Sequence, residues 1–510
     1  MYSPLDILSL ETWILLGTAF LVARYYVNRQ FQILKKCNIP HEPMSIMKLA
    51  SLIKDRKKPD GYFTKTLEIK EKYGRIYGYY VGLNIRVMIY DPEILKQIQI
   101  KESGIFRDRR HTFTRCAGKE MNTSLTAAKG NHWKRIRTTI SPMFSIAKIK
   151  EMFVLVENCT DKMVETLNEI STNDKGLFLP KDVLHKLSLD VICSSAFNVD
   201  MHTQESKTEE LQMLKMGRKL FDIQVVGSVL LGMFVLFPSL ERIAELVNYS
   251  LFPADSIKYF AGLVDAVIKN KDYDKSRADL MTLMLKAKIS EKKAKTAEKG
   301  LTRNEIVGNS IQMILAGFET TGNTMLFVIY NLAIYKDAQK KARQEVKEVV
   351  EKHEGLTYEA IMSLKYVTQC INETLRLYPA IVVNSRYCEK EVTIQGVTIP
   401  KDCHIEIHNY AFGRDEEYWE NPTLFNPDRM EDMSKINPIV FQPFGAGPRN
   451  CIGMRFAMIE MKMAISKILL NFELDTCPDT PKPPIDITFK ASVQPKEKIP
   501  LKIRRLKSSE

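Results

Sequence analysis

The order of apolar and polar residues reads mostly as helix, interrupted by short strand signals. Residues 76–81 and 85–90 flank Gly82-Leu83-Asn84 and predict a hairpin, after which Asp91-Pro92-Glu93 opens a helix with a capping Asp and a proline in its first turn. Residues 392–394 and 397–399 around Gln395-Gly396 predict a second hairpin, followed by an alternating strand over 403–409. Thr302-Arg-Asn-Glu305 is a capping box, and the apolar pattern over 306–330 continues without proline. That predicts a largely buried helix, about 40 Å long at 1.5 Å per residue. No internal repeat is present. The expected fold class is mainly α with small β-sheets.

The N-terminal pattern differs. Residues 5–23 are mostly apolar, with an uncharged run over 13–23, near the length that spans a bilayer. Arg24, Arg29, Lys35 and Lys36 follow with no acid among them, and no base precedes the run, so the positive-inside rule puts the remainder in the cytosol. Without a basic n-region and a small-x-small cleavage site, the segment reads as a retained anchor. Asp6 and Glu11 weaken it, and a buried core helix is the alternative. The chain then divides into an anchor with its basic flank, 1–36, and a globular part, 37–510. A second uncharged stretch, 223–240, is broken by Gly227, Gly232 and Pro238, which fits short helices dipping into a membrane surface or plain core.

Composition narrows the classes. A chain of 510 residues, 45% hydrophobic and 26% charged, buries a sizeable core and is not disordered, collagen-like or polytopic. The +13 balance suits an acidic partner or an anionic surface. The lysine-rich run over 288–299 has no aromatic residue and reads as a solvated loop, so no nucleic acid is expected as a partner. Nine cysteines without a Cys-x-x-Cys pair argue against a disulfide framework or zinc module and for a reducing compartment.

Two segments carry chemistry. Ala316-Gly317-Phe318-Glu319-Thr320-Thr321 sets a glycine, a carboxylate and two hydroxyls in the apolar helix. Thr320 can bond back to the carbonyl of Ala316, where Gly317 leaves room for a ligand; a kinked core helix reads equally well. Phe444-Gly-Ala-Gly-Pro-Arg449-Asn-Cys451-Ile-Gly453 places one cysteine in a Gly-rich loop before a helix starting near Met454. Backbone N–H groups and the helix N-terminus favour a thiolate there, able to ligate a metal. By composition, Phe-x-x-Gly-x-Arg-x-Cys-x-Gly arises by chance in on the order of one chain in ten thousand.

This motif resembles the haem-thiolate signature of the cytochrome P-450 monooxygenases, and the resemblance runs through essentially the whole chain. It implies the cytochrome P-450 fold, with a long central distal helix and a Cys-ligand loop before the proximal helix. It also implies one haem b ligated through Cys451, with Phe444 and Arg449 beside it. Trp133 and Arg137 resemble the family's Trp-x-x-x-Arg pair, and Arg109 and Arg386 align with further propionate partners, for which an arginine fork is well shaped. Ala316, Gly317, Glu319 and Thr320 match the oxygen-activating stretch, with Thr320 holding an ordered water and Glu319 linking it to proton sources. Glu373 and Arg376, three apart on one helix, resemble the family's structural Glu-Arg-Arg triad together with Arg429.

Residues 444–457, 133–142 and 223–240 resemble the microsomal branch that includes the family 3 drug-metabolising enzymes and thromboxane synthase. The branch's proline-rich hinge is reduced to Ile39-Pro40-His41-Glu42-Pro43. The resemblance implies the endoplasmic reticulum membrane, a single N-terminal anchor and a catalytic domain facing the cytosol. No flavin or nicotinamide fingerprint is present, so electrons from NADPH would come through NADPH-cytochrome reductase, with cytochrome b5 as a further partner. A basic proximal face including Lys134, Arg135, Lys148 and Lys150 would dock it. The substrate is expected to be an apolar steroid, fatty acid or xenobiotic, in a pocket lined from 106–121, 221–252 and 380–384. The alternatives are a haem-thiolate isomerase or dehydratase acting on a peroxide, which needs no proton relay, and a non-catalytic haem or lipid-binding protein, which needs neither a tuned thiolate nor a polar notch.

Overall fold

The computed structural model describes residues 9–44, 66–109, 118–173, 176–197, 203, 212–221, 243, 246, 249–250, 252–269, 279–489 and 492–507. The stretch 223–240, and with it much of the expected pocket lining, lies outside the described residues. The helices that place the site are α1 (Leu10–Gln30), α2 (Gly130–Ile140), α3 (Ile146–Asn173), α4 (Pro180–Phe197), α5 (Arg303–Ile334), α6 (Tyr366–Leu377) and α7 (Met454–Asn471). The strands are β1 (Ile76–Val81), β2 (Asn84–Ile89), β3 (Val383–Tyr387) and β4 (His404–His408), in sheet order β1-β2-β4-β3.

Local chemistry explains most boundaries. The Thr302–Glu305 capping box forms in both directions, and α5 runs 32 residues, about 48 Å, buried along most of its length. A Cβ on Gly322 would lie 2.7 Å from the His185 ring of α4, and one on Gly308 would lie 2.2 Å from the carbonyl oxygen of Glu120. Those glycines let α4 and the 118–123 segment sit flush against the central helix. α4, α6 and α7 contact α5, and α3 packs on α4 and α7. Arg135 of α2 is buried in an ion pair with Glu305 at 2.5 Å, tying α2 to the start of α5.

Asp91 caps the helix after β2, and Gln395-Gly396 turn with φ of +50° and +80°, as expected for a tight hairpin. The alternating strand forms, but both of its faces are buried. Glu406, between His404 and His408, accepts from Tyr79 Oη (2.8 Å) and Arg86 Nη1 (2.5 Å) and pairs with His408. Where a solvated loop was expected over 288–299, Ser290 caps a single exposed helical turn, Glu291–Ala294. All eight described cysteines are free.

At the N-terminus, no helix among the described residues is long and apolar enough to cross a membrane. The expected span over 5–23 becomes a helix that starts at Leu10 and mixes Glu11, Arg24 and Arg29 with exposed Leu15, Phe20 and Leu21. Its C-terminal end is anchored in the body. Phe31 packs edge-on to Tyr80 at 5.2 Å, Gln30 O accepts from Tyr80 Oη, and Leu34 fills the space left by Gly78. The shortened hinge lies along β1, where Pro40 O accepts from Gly78 N–H at 2.8 Å.

Candidate active site

Two glycines shape the cysteine loop. Gly445 and Gly447 take φ of +74° and +73°, and a Cβ on Gly447 would sit 2.0 Å from the Gln99 carbonyl oxygen. Gly445 N–H donates to Gln442 O, Asn450 N–H to Gly447 O and Cys451 N–H to Phe444 O, at 2.8, 3.0 and 2.8 Å. Phe444 packs against the core, and the loop delivers Cys451 three residues before α7 with its side chain exposed. Protein crowding its other sides pushes the thiol above its usual range, while the N–H groups of Gly453 and Met454 and the guanidiniums of Arg137 and Arg109 favour the thiolate.

Four arginines converge on this loop. Arg137 of α2 donates to Asn450 O (3.1 Å) and Oδ1 (2.9 Å). Arg386 of β3, fully buried, donates to Ser385 O and Ala446 O. Arg109 donates to Arg449 O at 2.7 Å, and its buried Nε has no partner among the described residues. Arg449 stacks over Trp133 at 4.2 Å and spends its nitrogens on Arg107 O, Leu125 O, Ala128 O and Asp108, so it rivets the loop to the 107–128 segment. Burial lowers the pKa of all four, Arg449 to about 9. Neighbouring guanidiniums add to the effect at Arg109, Arg386 and Arg449. Mutual repulsion and an orphaned donor are what a ligand with two carboxylates would relieve, so the residues fit the propionates of a haem beside a thiolate.

On α5, Ala316 is exposed and Gly317 and Thr320 are half-buried, while Phe318 and Glu319 are buried. Thr320 Oγ1 donates to Ala316 O at 2.5 Å, as the sequence suggests. The missing Cβ of Gly317 would lie 3.0 Å from Ile192, so its smallness also serves the approach of α4. Glu319 is buried and accepts from Ser492 Oγ at 3.0 Å.

Elsewhere in the core, Glu373 takes Arg376 on both oxygens (2.8 and 2.7 Å) and Arg429 Nε at 2.9 Å, while Asn426 N–H adds a fourth donor. Arg376 also donates to Gly413 O, Pro422 O and Leu424 O, fixing α6 to the loop before the cysteine segment. Of the expected docking cations, Arg135 is buried and committed to Glu305, Lys148 pairs with Glu151, Lys150 pairs with Glu359, and Lys134 is exposed. Sequence reasoning missed Asp108, which caps α2 through Gly130 N–H (2.9 Å) and holds Arg449, because nothing local marks an aspartate 22 residues away as a cap.

A cysteine loop ringed by arginines, in a chain that also carries a long central helix opened at one turn, is the framework of a haem-thiolate oxygenase. The sequence model of the cytochrome P450 family matches residues 40–503. Cytochrome P450 3A31 of Mesocricetus auratus is 36% identical over 503 residues, 98% of this chain and 97% of its own. Cytochrome P450 3A11 of Mus musculus is 34% identical over 501 residues, 97% of each. The chain belongs to the cytochrome P450 family; it is a haem-dependent monooxygenase of the family 3 kind that takes a redox partner and a small-molecule substrate.

Proposed function

We propose that the protein inserts one oxygen atom from dioxygen into an apolar steroid, fatty acid or xenobiotic, using NADPH-derived electrons passed by NADPH-cytochrome reductase, with cytochrome b5 as a second donor. The convergence of four arginines around the Cys451 loop carries this reading. Cys451 would hold the iron of haem b as a thiolate, and Arg109, Arg137 and Arg386 would turn toward the propionates while Arg449 and Trp133 hold the loop. When bound, that group supplies oxygen activation, helped by electron donation from the sulfur. Thr320 would hold an ordered water at the opening of α5, and Glu319 would pass protons to it. Glu373, Arg376 and Arg429 serve structure. The N-terminal helix, with its exposed apolar side chains and trailing bases, would attach the enzyme to the endoplasmic reticulum membrane with the catalytic body in the cytosol.

The test is turnover of a panel of steroids, fatty acids and xenobiotics with reductase and NADPH, by wild type and Thr320→Ala. Thr320→Ala is expected to keep haem ligation and substrate affinity and to consume NADPH, with less product and more hydrogen peroxide. Product formed without NADPH and indifferent to Thr320→Ala would contradict a monooxygenase and fit an isomerase.

A further inference from the structure

Glu319 belongs to a buried chain of side chains drawn from α4, α5 and the segment that begins at Ser492. Ser492 Oγ donates to Glu319 Oε2 at 3.0 Å, and Asn323 Nδ2 donates to Ser492 Oγ at 3.0 Å. At its far end Asn323 presents Oδ1, which can only accept, so the His185 Nε2 lying 2.9 Å away is the protonated nitrogen of a neutral ring. Exposures of 8% for Glu319, 0% for Ser492, 1% for Asn323 and 3% for His185 put the whole chain out of water. Burial drives the imidazole pKa down to about 3, in keeping with a fixed neutral donor.

Every donor in this chain points toward the carboxylate. Ser492 cannot easily turn its proton elsewhere, because Asn323 occupies its acceptor side and His185 in turn fixes the Asn323 amide. His185 is itself immobilised: it lies edge-on to Phe318 at 5.2 Å and rests on the space left by Gly322. The segment bearing Ser492 is pinned as well. Val493 N–H donates to Ala380 O at 3.0 Å, Val493–Pro495 pairs with Ile487–Phe489, and Lys181 of α4 donates to Gln494 Oε1 at 2.9 Å. α4 therefore grips both ends of the arrangement.

We propose that Ser492 is a positioning residue for Glu319: the chain His185–Asn323–Ser492 sets the rotamer of the carboxyl group next to Thr320, so that the C-terminal segment controls proton delivery at the distal helix. This rests on Glu319 acting in proton delivery, as proposed above. Ser492 touches neither substrate nor haem in this role, and its effect is on the partition of electrons between product and peroxide.

The experiment uses full-length, haem-loaded enzyme with reductase, NADPH and a substrate that wild type converts. Ser492→Ala is expected to leave the reduced carbon-monoxide spectrum and the substrate-binding spectrum unchanged. Product per NADPH should fall several-fold, peroxide should rise, and the solvent isotope effect on turnover should increase. Ser492→Thr, which keeps the hydroxyl, should recover most of the coupling, and if Ser492→Ala loses haem, Ser492→Cys carries the same comparison with a weaker donor. Adding Ser492→Ala to Glu319→Gln should cost nothing further. Wild-type coupling in Ser492→Ala beside a defective Glu319→Gln overturns the positioning role alone, as would fully additive losses in the double variant. Wild-type coupling in Glu319→Gln overturns the reading of Glu319 on which it stands.

Discussion

Cys451 depends on its neighbours for both shape and charge. Gly447 allows the loop to press against Gln99, and two amides with two guanidiniums work against the burial that raises the thiol. Carried into the haem-loaded enzyme, this predicts that the reduced carbon-monoxide complex has the red-shifted Soret band of thiolate ligation, and that Cys451→Ala loses it. Cys451→His is expected to keep haem with the band at the histidine-ligated position; an unaltered band in either variant means another residue is the ligand. The glycine turn before Cys451, the Thr302 cap and the back-bond of Thr320 were legible in the sequence because the groups that make them are within a few residues. Ser492 was not, since the carboxyl group it reaches is 173 residues earlier, and neither was the contact of Gly317 with Ile192, because a sequence does not say which neighbour faces a missing side chain.

Among the elements, the start of α5 makes a pH-dependent claim. Burial, the largest single influence on Glu305, would raise its pKa, but hydrogen bonds from His132, Arg135 and Thr302 together bring it to about 2 from an ordinary 4.5. Glu406 within β4 is likewise brought to about 2, against burial, by His408 and Arg86. A folded-state pKa below the unfolded one gives stability that is present above about pH 4.5 and is lost as pH falls toward 2. Melting temperature is therefore expected to drop across that window. Glu305→Gln should cost about 3 kcal/mol near neutrality and flatten the acid limb, since lowering a carboxyl pKa from 4.5 to about 2 corresponds to about that energy. An acid limb of wild-type steepness in Glu305→Gln would refute the assignment. The capping box and both hairpins were legible from turn and cap residues. The three-stranded sheet of Leu177–Phe178, Leu501–Arg505 and Phe472–Thr476 was not, because its strands are short and far apart in sequence, and the parallel pairing of β2 with β4 has no local turn to announce it.

At the scale of the whole molecule, the +13 charge suits encounter with an acidic electron donor, and the structure narrows where it can act. Arg135 is internal and Lys148 and Lys150 are paired, so charge reversal at Lys134 is expected to slow reductase-supported turnover more than reversal at Lys148. Activity should fall as ionic strength rises through the physiological range, without change in substrate-binding spectra. Salt-insensitive turnover would point to an apolar docking surface. The family assignment, the cysteine loop and the opened helix together bear on where the inserted atom comes from, and isotopically labelled dioxygen reads it directly. With reductase and NADPH present, the product is predicted to carry one labelled oxygen atom. Unlabelled product, or product formed at full rate without NADPH, would contradict the account.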